Sequence, residues 1–132
     1  MTELMLSLPS SAARQSLAQR LGLPYADTMQ DWEWEVASPD RFEDFLRAYR
    51  TADLSDDERV SLMEMLIQCV EDMQASPTAW GAIEPLLRAH PDLHGASVLY
   101  WAMPQEQEED NLMRVSRPMR KLLRAIARET AR

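Results

Sequence analysis

The chain holds 132 residues, 45% apolar and 27% charged, which suits one ordinary domain over residues 1–132 and excludes intrinsic disorder. Acids outnumber bases 22 to 14 for a formal charge of −8. That balance argues against nucleic acid and anionic membrane surfaces as partners, because both need clustered cations. One cysteine, Cys69, permits no intrachain disulfide and fits a reducing compartment. No run approaches the roughly 18 apolar residues of a membrane span, and Met1 to Pro9 lack the basic stretch of a signal peptide, so a cytoplasmic protein is expected.

Taken in chain order, Ser10 to Leu21 predicts a helix: Ala12, Ala13, Leu17, Ala18 and Leu21 form a stripe, and Gly22-Leu23-Pro24 is a stop signal. Tyr25 to Gln30 reads as a loop. From Asp31 to Val36 apolar and acidic residues alternate strictly, which is strand periodicity. Without a pairing partner this predicts an extended segment, with Trp32 and Trp34 on the body and Glu33 and Glu35 in water. Ser38-Pro39-Asp40 is a helix start, and Phe42, Phe45, Leu46 and Tyr49 follow at helical spacing. Ser55 to Glu58 repeats the start signal for a helix running to about Gln74. Ser76-Pro77 opens another, in which Pro85 should kink or split the pattern. Pro91-Asp92 opens the next and Pro104 ends it. Gln105 to Asp110 is an acidic loop, and Ser116-Arg117-Pro118 starts the last helix. The expected fold is all-α, a compact array of antiparallel helix pairs with about five to six helices. Phe45 to Tyr49 followed by Asp53-Leu54 is similar to Leu86 to His90 followed by Asp92-Leu93. The offset of about 41 residues would make the array HEAT-like if the similarity is a true repeat.

The net charge hides a split. Residues 111–132 carry seven bases against one acid, a net of +6, so residues 1–110 carry −14. The basic tail has two readings: internal neutralisation against the acidic body, or a body left negative for a basic partner, whose approach such a field would steer.

Catalytic constellations are missing. Gly22, Gly81 and Gly95 are isolated, so no phosphate-cradling loop exists. Cys69 falls mid-helix, where a thiol is packing rather than nucleophile. His90 and His94 share a metal-ligand spacing, but Pro91 intervenes and no third ligand is evident, so neither metal nor cofactor is expected. The carboxylate groups Asp56-Asp57-Glu58 and Glu106, Glu108, Glu109, Asp110 fall at a helix start and in a loop, where they stay solvated rather than acquire the split pKa values of acid–base pairs. No enzyme is expected. Trp32 or Trp34, flanked by glutamates, is the tryptophan best placed for exposure, and tryptophan is a favoured interface anchor.

Trp80-Gly81, His90-Pro91-Asp92-Leu93-His94 and Leu99-Tyr100-Trp101 together resemble the helical proteins encoded beside bacterial polymorphic toxins as their immunity partners. The resemblance covers about residues 76–120. It implies an all-helical, non-catalytic protein that binds a cognate toxin stoichiometrically in the producer's cytoplasm. It carries over no site residues, since contact surfaces in such proteins differ from pair to pair. The acidic composition implies a toxin with a basic surface. The candidate partner-binding residues are Trp32, Glu33, Trp34, Glu35, Asp56, Asp57, Glu58, Glu106, Glu108, Glu109 and Asp110. A helical adaptor, secretion chaperone or regulatory subunit is the competing class, distinguished by several partners in place of one.

Overall fold

The computed structural model describes residues 9–51 and 53–131. The fold is all-α: among the described residues there are seven α-helices, two short 3-10 turns and no strand. The chain divides into two units, residues 9–72 and residues 73–131.

In the first unit, α1 (Ser11–Leu21), α2 (Trp32–Val36) and α3 (Phe42–Thr51) each pack on α4 (Asp56–Asp72). The helix starts are local chemistry. Ser10 Oγ accepts from Ala13 N at 3.2 Å. Ser55 and Glu58 close a reciprocal capping box, the hydroxyl accepting from Glu58 N and the carboxylate from Ser55 N. Helix α1 stops at Gly22, whose φ of 66° is open to glycine at little cost. Arg41 reaches back to donate to the Leu21 carbonyl at 2.8 Å and lies over the Phe45 ring. A 3-10 turn, Pro39–Arg41, leads into α3, which buries Phe42, Phe45, Leu46 and Tyr49 as their spacing requires. In α4 every residue from Ser61 to Ile67 is buried, so this helix has no solvent stripe there.

The segment from Asp31 to Val36 corrects the expectation of an extended strand-like piece, and it accounts for the helix beyond the expected six. Trp34 N and Glu35 N both donate to Asp31 O at 2.9 Å, closing a single helical turn. A strand would send Trp32 and Glu33 to opposite faces, whereas a helical turn lets neighbours share an inward arc. Both are buried.

In the second unit, α5 (Pro77–Ala89), α6 (Pro91–Ala102) and α7 (Ser116–Thr130) pack on one another. Ser76 Oγ caps α5 by accepting from Ala79 N. Helix α5 is not split at Pro85. The carbonyl that Pro85 cannot bond belongs to Gly81, and both residues are exposed, so the released acceptor does not have to be buried unpaired. Helix α6 ends at Met103, whose φ is 50°. Arg120 of α7 then donates to the carbonyls of Ala102, Met103 and Glu106, tying the acidic loop to the end of α6. Ser116 Oγ donates to Trp101 O at 2.8 Å beside it. The similar pentapeptides lie at the ends of α3 and α5. Residues 52–55 lead from the first into α4, but His90 alone separates α5 from α6.

Candidate partner-binding surfaces

The acidic candidates fall into two physical groups, and Glu64, which is not among them, joins the buried one. Glu33, Glu58 and Glu64 are all buried in the first unit, and each is held by hydrogen bonds. Arg14 of α1 meets Glu33 of α2 in a two-pronged pair, Nε to Oε2 and Nη2 to Oε1, both at 2.8 Å. Ser61 of α4 donates to the same carboxylate at 2.6 Å, and Arg14 Nη2 also donates to Gln30 O at 3.2 Å. Glu33 thus joins three helices at one point, and its expected exposure to water is overturned. The physical reason is Arg14, whose charge would otherwise be stranded inside.

Glu58 is likewise internal rather than presented to a partner. Burial pushes its carboxyl upward, but hydrogen bonds from Ser55 N–H and the Ser16 and Ser55 side chains, with the charge of Arg20, outweigh burial and leave the pKa below its ordinary value. Glu64 accepts from Trp34 Nε1 at 3.0 Å.

The tryptophans divide as well. Trp32 is fully buried, donates from Nε1 to Pro24 O at 2.7 Å and meets Tyr25 edge-on, so it is core and not an exposed anchor. Trp34 is half-buried and tied by that bond to Glu64. Glu35 is exposed, as expected.

Asp56 and Asp57 stand exposed in the first turn of α4, where carboxylates complement the free N–H groups, and Asp57 Oδ2 accepts from Ser10 N at 3.3 Å. In the loop of the second unit Glu108, Glu109 and Asp110 are exposed, with Glu109 3.3 Å from Arg117. Glu106 is half-buried, and its Oε1 accepts from Glu108 N and Asn111 Nδ2. The loop is therefore a folded turn, its 3-10 segment spanning Glu109–Asn111.

Burial pushes the Cys69 thiol up to about 12, against a hydrogen bond donated to Ser38 O and with Asp72 adding to the rise, so the thiolate is absent at neutral pH. His90 is exposed ahead of α6 and His94 is buried within it. Among the described residues no three His, Cys, Asp or Glu side chains gather as a metal site would require, and no helix is long and apolar enough to cross a membrane.

Sequence reasoning missed Arg14, Ser61, Glu64 and Arg120. Arg14 alone gave a signal, as a cation on the apolar stripe of α1 between Ala13 and Leu17. Compared with family models, curated proteins and solved structures, the chain matches none.

Proposed function

We propose that the protein is a non-catalytic binding protein of the immunity type, which neutralises a cognate toxin by covering a basic surface of it in a stoichiometric complex. One observation carries this reading. In residues 9–72, after Glu33, Glu58 and Glu64 are taken up inside, ten carboxylates remain exposed against three exposed arginines, Arg20, Arg47 and Arg50. Asp56, Asp57 and Glu35 belong to that outward set. Unbalanced exposed charge lowers stability through self-repulsion and steers an oppositely charged partner, so a binding role accounts for its retention. A toxin acting on phosphate-bearing substrates would present the complementary cationic cleft, and an acidic plug competes with phosphate there.

The resemblance of residues 76–120 to immunity proteins supports the same reading, under which the partner gene is expected beside this one. Co-expression of the neighbouring gene's product in a heterologous host tests it. Growth arrest relieved by this protein, with a complex of fixed stoichiometry on size-exclusion chromatography, is the expected result. A harmless neighbour, or relief without complex formation, contradicts it.

A further inference from the structure

In the second unit, α5 and α7 border an open groove of about 470 Å³. Its floor is apolar, formed by the half-buried Trp80 of α5 with Pro118, Leu122 and Ala125 of α7. Three cations line it, and they are not equivalent. Arg88 is held by Glu84 at 2.8 Å and lies 3.7 Å from Glu129, so its charge is answered within the wall. Lys121 and Arg128 are exposed, and neither has an ion pair or hydrogen bond among the described residues.

Gly81 is an independent observation at the same place. It lies inside α5, its φ is not in the left-handed region, and a Cβ built there would meet nothing within 4 Å. Neither backbone conformation nor close packing asks for glycine, which is unfavourable inside a helix. Its effect is to leave the groove open beside Trp80.

The spacing of the two free cations selects the ligand. Lys121 and Arg128 are two helical turns apart on one side of α7, about 10 Å along the axis. Two exposed cations so spaced suit a ligand with two separated negative charges better than a single small anion. A polyproline-type extended chain, with three residues per turn, puts acids at i and i+3 on one side about 9 Å apart, and a helix with acids at i and i+7 sets them about 10 Å apart. A polynucleotide is disfavoured, because two free cations release few counterions, Glu84 sits in the wall and the whole chain is −8.

We propose that the α5–α7 groove binds a short acidic peptide segment of a protein partner, seating an apolar side chain against Trp80 and Leu122 and carboxylates on Lys121 and Arg128. This site is opposite in sign to the acidic surface of residues 9–72, and it stands whether or not the partner of that surface is a toxin.

Fluorescence anisotropy on the full chain tests it, with fluorescein-labelled peptides of about twelve residues. Each carries two glutamates three or seven positions apart around a leucine or tryptophan. Saturable binding by members of this panel is expected, weakened about tenfold or more by Lys121→Glu, by Arg128→Glu and by Gly81→Leu. Arg50→Glu, an exposed base of α3 that does not line the groove, should leave it unchanged. Thermal melts of every variant separate lost binding from lost folding, with Lys121→Gln and Arg128→Gln replacing any variant that fails to fold. Absence of binding across the panel, or binding indifferent to these substitutions, overturns the proposal. So does tighter binding of a single-stranded oligodeoxynucleotide that the same substitutions abolish. A concentration-dependent dimer lost in those variants would also overturn it, by making the groove a contact between copies.

Discussion

Residues 9–72 and residues 73–131 treat charge in opposite ways. The first unit buries Arg14, Glu33, Glu58 and Glu64, whereas the buried polar side chains of the second are His94, Ser97 and Ser116. By sequence, residues 9–72 carry six bases against 14 acids, a net of −8, and residues 73–132 carry eight against seven. The acidic unit thus uses some of its carboxylates as internal ties and leaves the rest outward. In the second unit the cations do both jobs: Arg120 serves as a clamp on three carbonyls while Lys121 and Arg128 stay free. Net charge alone therefore says little about which residues a partner can reach. Burial and hydrogen-bond partners decide it.

Breaking the internal tie of the first unit should have the largest effect. Glu33→Ala strands the Arg14 guanidinium and should cost about 3–5 kcal/mol in urea unfolding. Arg14→Met combined with Glu33→Leu should recover most of that, because no charge is then left buried. Losses below about 1 kcal/mol for the single variant would mean that the pair is solvated and that the two units do not differ in this respect. The corresponding change in the second unit is Arg120→Ala, which should cost about 1.5–3 kcal/mol and raise amide exchange between Met103 and Leu112. Arg120→Lys should rescue little, since a single ammonium cannot match the planar fork that spans three carbonyls.

A smaller effect sharpens the comparison through pH. The pKa of Glu58 is lowered in the folded protein, so its contribution is present above the ordinary carboxylate value of 4.5 and is lost as pH falls through the folded value. Wild-type stability should therefore decline below about pH 4.5 more steeply than that of Glu58→Gln. Parallel acid limbs in chemical denaturation would remove Glu58 from the set of internal ties. The smallest effect has the opposite sign: Gly81→Ala should raise stability by roughly 0.5–1 kcal/mol, because α5 gains a better helix former in open space. A loss at this position would show that the groove wall does not tolerate a methyl group.

The helices were legible where their signals are local. Ser10, Ser55 with Glu58, and Ser76 begin helices through bonds to residues three positions away, so sequence alone carries the whole cause. Trp32 to Val36 was misread because its alternation matched a strand while the deciding partner, Arg14, lies 19 residues from Glu33. The site was less legible for the same reason. Glu33, Glu35 and Asp57 look alike in sequence, and only the packing of α1, α2 and α4 turns Glu33 inward, whereas Glu58 is held in part by its local capping box with Ser55. Trp80, Gly81 and Lys121 were each visible, but their meeting in one groove depends on α5 packing against α7.

The outward carboxylates are the central claim, and association kinetics test them most directly. The on-rate of the proposed toxin partner should be measured by stopped flow at ionic strengths from about 0.05 to 0.5 M, for wild type and for Asp56→Lys with Asp57→Lys. Wild-type association should slow by about tenfold or more across that range, while the charge-reversed protein associates more slowly with a flatter salt dependence. It should lose about 1 kcal/mol of stability for each of the two helix-start contacts removed. An on-rate indifferent both to salt and to the reversal would contradict the account and leave these carboxylates as solvated surface.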